Sequence, residues 1–189
     1  MKWFVADTHF NHKSMLLEDV CDRPFKNVWE MNACMIDNWN SVINKGDVVY
    51  FAGDFALPDK GDGNDIGWII DQLQGHIHLI RGNHDYKNIR KKLEVKFETA
   101  KDLDYIKGDG DDKKYRIMIC HYPMRTWRAS VHGSWHLHGH SHGKLEPVGK
   151  MLDVGVDAHN FKPLSFDQIK DIIMSKETSN EDEKEKRNG

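Results

Sequence analysis

Short apolar runs, each ending in a polar loop of unusual chemistry, set the rhythm of this chain. Lys2–Ala6 is a β-prone run that stops at Asp7, and Asp47–Ala52 (DVVYFA) is another that stops at Gly53-Asp54. His76–Ile80 (HIHLI) stops at Arg81-Gly82-Asn83-His84, Tyr115–Cys120 (YRIMIC) at His121-Tyr122-Pro123, and Ser134–His138 at Gly139-His140-Ser141-His142. All five have the length and residue preference of strands. All five run into loops that carry carboxylate, amide or imidazole groups.

Between the first two runs the period changes. Val28, Met31, Met35, Trp39 and Val42 recur at helical spacing behind Asn27, with Glu30 at the capping-box position, which predicts a helix over Val28–Val42. Further helices are predicted over 65–73, stopped by Gly75, over 86–93, and from a Ser165-x-x-Gln168 cap to about Met174. Gly108–Lys114 (GDGDDKK) reads as a hairpin turn between two strands and lacks the spacing of an EF-hand loop. Strands alternating with helices, followed by a strand-rich second half, predict a layered α/β fold. No internal repeat or domain linker interrupts it.

Length and composition refine this picture. A chain of 189 residues and 22.0 kDa favours one domain, placed at 1–175. Residues 176–189 hold four basic and five acidic side chains and nothing apolar, so they cannot offset their ordering entropy and are predicted to form a disordered tail. The 27 basic against 30 acidic residues give a net charge of -3, which argues against a DNA-coating protein. No run approaches the roughly 18 apolar residues of a membrane span, and the N-terminal run is too short for a signal peptide. A soluble, cytoplasmic protein is expected. Cys21, Cys34 and Cys120 are odd in number and lack C-x-x-C spacing, so buried thiols are expected in place of a disulfide framework or zinc knuckle.

The compositional outlier is the twelve histidines. In open α/β sheets, sites form beyond the carboxyl ends of strands, where Asp7-x-His9, Gly53-Asp54, Gly82-Asn83-His84-Asp85, His121 and Gly139-His140-x-His142 fall. Imidazole, carboxylate and amide donors without thiolate suit Mn, Fe, Zn, Co or Ni more than a structural zinc site. Single motifs say little. Gly-Asp occurs at Gly46, Gly53, Gly61, Gly108 and Gly110, and only Gly53-Asp54 follows an apolar strand. His140 and His142 point into one mouth only if the backbone bends between them.

The ordered set of five is more specific. It resembles the calcineurin-like metallophosphoesterase superfamily, whose signature runs D-x-H, G-D, G-N-H-D/E, H, G-H-x-H, and no signature position between Asp7 and His142 is missing. The pieces Asp7-Thr8-His9-Phe10-Asn11-His12 and Arg23-Pro24-Phe25 resemble the small single-domain bacterial and phage members. The resemblance implies a layered sandwich of two mixed β-sheets flanked by helices. It also implies two divalent transition-metal ions, manganese first, with Fe, Zn, Ni and Co as alternatives. Asp7, His9, Asp54 and His142 would hold one ion and Asp54, Asn83, His121 and His140 the other, with Asp54 as the bridge. Two dications against two carboxylates and a bridging hydroxide leave a charge of about +1 to attract phosphate. The hydroxide would be the nucleophile, His84 the general acid and Asp85 the carboxylate that orients it. The implied activity is hydrolysis of a small phosphate ester, diester ahead of monoester, a nucleotide among the candidates.

Outside the signature, His12 either reaches the substrate or caps the next helix. Arg125, Trp127 and Arg128 follow His121 on a loop where guanidinium and indole would bind phosphate and stack a base. Strand alternation puts His136 and His138 on the face of His140, near His132, either lining the pocket or hydrogen-bonded as structural groups. His76, His78 and His159 are expected to be structural or exposed, and Lys87, Arg90, Lys91 and Lys92 to form a solvated basic face. Two other functions compete: a nuclease, which needs a basic stripe that is not visible here, and a non-catalytic scaffold of the same fold, which would not need His84. Substrate, native metals and oligomeric state are not legible in the residues.

Overall fold

The computed structural model describes residues 1–57, 66–89 and 91–175, the side chains of 91 and 92 excepted. The alternation within each central strand sends its side chains into two different layers. In β1 (Lys2–Val5), β2 (Val48–Phe51) and β3 (His76–Ile80), Trp3, Val5, Val49, Phe51, Ile77 and Leu79 face a helical layer. There they meet Val28, Met31, Met35 and Trp39 of α1 (Val28–Val42) and Ile66, Ile69 and Ile70 of α2 (Ile66–Gln72). Phe4, Ile80 and Ala52 face the other way, onto a second sheet.

The first sheet has the order β4 (Thr99–Lys101), β3, β2, β1, β9 (Leu164–Ser165); β4 to β1 are parallel and β9 is antiparallel. The second has the order β5 (Leu103–Lys107), β6 (Arg116–Cys120), β7 (Trp135–His138), β8 (Met151–Asp153). Its last three strands are parallel, and β5 joins β6 through the Gly108–Lys114 hairpin turn. Ile117, Ile119, Trp135, Leu137 and Leu152 fill the space between the sheets with Phe4 and Ile80, and Phe166, Ile169 and Ile173 of the helix over 166–175 (α5) close it. The result is a layered sandwich of two mixed sheets with helices.

Both predicted caps form. Asn27 Oδ1 accepts from the Glu30 amide at 2.9 Å, and Ser165 and Gln168 bond each other's backbone amides reciprocally. The predicted helix over 86–93 is instead two short ones, α3 (Asp85–Asn88) and α4 (Lys91–Glu94). Buried Ile89, at φ -93° and ψ 80°, leaves the helical path to reach the core. Strands β4, β8 and β9, with three, three and two residues, have too few positions to show an alternation. Cys120 is buried, but Cys21 and Cys34 are only partly so. The predicted tail at 176–189, Arg90, and the side chains of Lys91 and Lys92 lie outside the described residues. No described helix is long and apolar enough to cross a membrane.

The two sheets touch at one end of the sandwich. One residue past β1, Ala6 donates its amide to Val154 O and accepts from the Val156 amide, each at 3.0 Å, so the carboxyl ends of β1 and β8 are sewn together. Parallel strands in both sheets therefore deliver their following loops to one place.

Candidate metal centre

Those loops share an uncommon backbone. Asp7, His9, Asp54, His140 and His142 have φ of 56°, 48°, 58°, 69° and 48°, and Asn11 has 64°. This left-handed region is sparsely populated by residues with a Cβ, and Asn, Asp and His enter it most readily. Each such residue turns its side chain back over the strand ends. The bend between His140 and His142 is thus made at both histidines. Space is equally tight: a Cβ on Gly82 would run into the Asp54 carboxylate, and one on Gly53, itself at φ 96°, would lie 2.5 Å from His121 Nδ1.

The side chains so placed converge on Asp54. Its Oδ2 lies 3.3 Å from His121 Nε2, 3.6 Å from His9 Nε2 and 3.9 Å from His84 Nε2. Its Oδ1 accepts the His84 amide at 2.9 Å, and Asn83 Oδ1 is 3.1 Å from His121 Nε2. Asp7 Oδ2 accepts the His140 amide at 2.9 Å, a bond between the two sheets' loops. Four sets of described residues have donor atoms near enough to share an ion: Asp7, His9 and His142; His9, Asp54 and His84; Asp54, His121 and His140; and, beside them, Cys21, His142 and Asp157. His9, Asp54 and His142 each belong to two of them.

In three of these rings the second nitrogen is already engaged. His121 Nδ1 donates to Ala52 O at 2.9 Å and His142 Nδ1 to Asp157 Oδ2 at 2.7 Å, since a carbonyl or carboxylate can only accept. His9 Nδ1 lies 3.3 Å from His12 Nδ1. Partners of this kind fix a ligand's ring orientation and leave Nε2 toward a metal. Among the described residues, Asp7 Oδ1 and His9 Nε2 are buried without a hydrogen-bond partner. Such orphans cost about 1–3 kcal/mol each, and a cation bound there would satisfy both. The donor set fits divalent transition ions.

Electrostatics agree with that fit. Burial would raise Asp54, but the hydrogen bond and charge of His121 and the His84 amide hold it at about 2. Burial pushes Asp7 up to about 7, opposed by His121 and His142. Burial drives His9 well down, so its ring is neutral and ligand-ready. Burial also works against charge on His142, yet its bond to Asp157 raises it to about 10.

Asp85 is not where its expected role requires. Its carboxylate is buried and accepts the amides of Asp54 (2.8 Å), Phe55 (2.9 Å) and Gly82 (2.8 Å). It locks the Gly53-Asp54 loop to the Gly82-Asn83-His84 loop and orients backbone, not the His84 ring. His12 makes no side-chain cap; its ring stands against His9 and His84 with centroids 5.3 Å and 6.1 Å away. Trp127 is half-buried, donates Nε1 to Ser134 O and packs on His136, so its indole N–H props its own loop. Arg125 is exposed on that loop, and Arg128 lies over the Tyr105 ring. His136 and His138 point to the outer face of the second sheet, away from the centre. There His136 Nε2 accepts the Met124 amide and His138 Nδ1 meets Gly139 O. His132 and His76 are exposed, His78 bonds Thr99, and His159 Nε2 donates to Asp153 O.

Three supporting residues carry no role in the sequence reading, which quotes Arg23 only within Arg23-Pro24-Phe25 and passes over Asp153 and Asp157. The buried Arg23 guanidinium donates to Asp7 O, Thr8 O and both oxygens of Asp157, which in turn holds His142. Asp153 accepts from the Ser141 hydroxyl and the Gly143 and Gly155 amides, fixing the His140–His142 loop. The usable signal was Asp153-Val154-Gly155-Val156-Asp157: one more apolar strand ending in carboxylates.

No family model matches the chain. It is 35% identical to the uncharacterized protein MJ1445 of Methanocaldococcus jannaschii over 178 residues, covering 90% of each chain. The chain belongs to the same family as that archaeal protein. It is also 27% identical to the gene 66 protein of Mycobacterium phage L5, covering 90% of this chain and 93% of that one. Among solved structures, the protein of unknown function AQ665 from Aquifex aeolicus superposes with a TM-score of 0.70 at 25% identity, over 92% of this chain and 99% of that chain.

Proposed function

We propose that the chain is a dinuclear-metal phosphoesterase that hydrolyses small phosphate esters, diesters ahead of monoesters. The observation that carries this reading is the position of Asp54. One carboxylate oxygen stands within 3.9 Å of the Nε2 atoms of His9, His84 and His121, as the shared ligand of two ions would. Asp7, His9, Asp54 and His142 would hold one ion and Asp54, Asn83, His121 and His140 the other, with manganese the first choice. Ions held there would polarise the phosphoryl oxygens and supply hydroxide at neutral pH.

The chain's own groups do the rest. His84 has a side chain 35% exposed and an amide pinned to Asp54, so its ring stands at the solvent side of the centre where an ester arrives. As an oxygen from water adds to phosphorus, the bond to the leaving alcohol breaks and His84 gives that oxygen its proton. Asp85 and Asp153 keep the loops in register, and Arg23 with Asp157 holds His142 to its ion. His84 also falls in a ligand-capable set with His9 and Asp54, so its role must be tested apart from metal content.

The test is reconstitution of metal-depleted protein with Mn, Zn, Co or Ni, followed by assay of mono- and diesters. Asp54→Asn is expected to abolish hydrolysis and reduce the metal content below two ions per chain. Normal turnover with two ions bound in that variant would refute the assignment.

A further inference from the structure

Two loops leave the metal centre in the same direction. One follows His121 and the other His142, and a cleft of about 460 Å³ lies between them. Its walls are Met124, Leu145 and Val148 with Met151 of β8, and Arg125 and Glu146 are its only charged side chains. We infer that this cleft binds the ester group that remains on phosphorus, so that the enzyme prefers phosphodiesters in which that group is uncharged and apolar or aromatic. The inference rests on the phosphoesterase reading above and adds a substrate class to it.

Position assigns the retained group in place of the leaving group. His84 and His12 occupy the His9 side of the centre, with ring centroids 5.3 Å apart for His84 and His9. The cleft loop departs on the opposite side, where Tyr122 packs edgewise on His121 at 5.0 Å and on His140 at 4.9 Å. An alcohol protonated by His84 leaves on the first side. What stays bonded to phosphorus is directed over Tyr122, a residue 44% exposed, and into the cleft.

The wall is also built before any ligand arrives. The Met124 amide donates to His136 Nε2 at 3.1 Å, His136 supports the Trp127 ring at 5.3 Å, and Trp127 Nε1 is tied to Ser134 O at 3.0 Å. This gives buried His136 a role outside the centre: it anchors the cleft loop, with His138 packed against it at 5.4 Å. Leu145 and Val148 are exposed large apolar residues on the facing loop, Val148 at 60%. Apolar side chains left open beside a polar centre mark a ligand surface.

Two diesters with the same leaving group decide the matter: phenyl p-nitrophenyl phosphate and methyl p-nitrophenyl phosphate, with kcat/KM divided by the uncatalysed rates. Burial of a ring corresponds to at least about tenfold in favour of the phenyl ester. Val148→Asp, at an exposed position of the cleft wall, should remove that preference, bringing the phenyl-to-methyl ratio to about one. In parallel, methyl NMR of the zinc-loaded full chain with labelled methionines should show Met124 and Met151 shifting with phenylphosphonate but not with methylphosphonate, and not in Val148→Asp. Equal kcat/KM for the two esters, or methyl shifts unchanged in the variant, would overturn the cleft assignment while hydrolysis itself continued. Shifts at Met124 and Met151 without hydrolysis of any ester would sustain the cleft and overturn the phosphoesterase reading.

Discussion

Arg23 offers the sharpest test of how the centre is held. Its side chain is fully buried, 2.8 Å from both oxygens of Asp157 and 2.6–2.8 Å from the carbonyls of Asp7 and Thr8. Arg23→Met keeps most of the volume but strips four acceptors of their donor and leaves the Asp157 charge to His142 alone. Removing one partner of a buried pair costs about 3–5 kcal/mol, so a loss of about 4 kcal/mol is expected, or roughly 8–16 °C in Tm for a chain of this size. Urea unfolding followed by tryptophan fluorescence in chelator reads this without a contribution from bound metal. Much of the loss is the isolated Asp157 charge, so Arg23→Met with Asp157→Leu should lose at least about 2 kcal/mol less than the two single changes together. A single-variant loss under about 1 kcal/mol, or additive losses, would show that the pair is not the strut described.

Three further outcomes follow from the same geometry. His84→Ala should retain its metals and lose about 10²–10⁴-fold on an alkyl ester but much less on a nitrophenyl ester, which departs without a proton. Equal losses on both would rule out the general acid, and a lost ion would make His84 a ligand. Asp85→Asn should lower stability by about 1–3 kcal/mol, because an amide cannot accept from three backbone N–H groups as a carboxylate does; unchanged stability with an altered pH–rate profile would return Asp85 to the role of orienting His84. Gly82→Ala, whose Cβ would meet the Asp54 carboxylate, should cut metal affinity at least tenfold in a competition titration, and wild-type affinity would show that the contact relaxes cheaply.

Much of this was legible because parallel strands end together. A run such as DVVYFA followed by Gly-Asp states both that a strand stops and that a carboxylate stands at its mouth, and five such endings converge in the fold. His136 and His138 stayed undecided between pocket and structural roles because alternation gives a face but not what covers it. The loop after His121 folds back onto His136, and His138 lies against that ring. Asp153 and Asp157 look like surface acids in the chain, yet each bonds groups from other loops, a fact that no local pattern contains. The same holds for Arg23, whose four acceptors belong to Asp7, Thr8 and Asp157.

The left-handed backbone at Asp7, His9, Asp54, His140 and His142 narrows the residue alphabet of the centre before any ion is considered. Of the side chains that bind hard or borderline cations, Asp, Asn and His tolerate that conformation best, and Glu gains nothing from it. A Glu for Asp exchange at position 7 or 54 would therefore fail twice: through a longer reach, and through a main chain reluctant to take the curve. Chemical similarity is a poor guide to which replacements drift could accept here, and the vocabulary of this centre is written by its φ angles as much as by its metals.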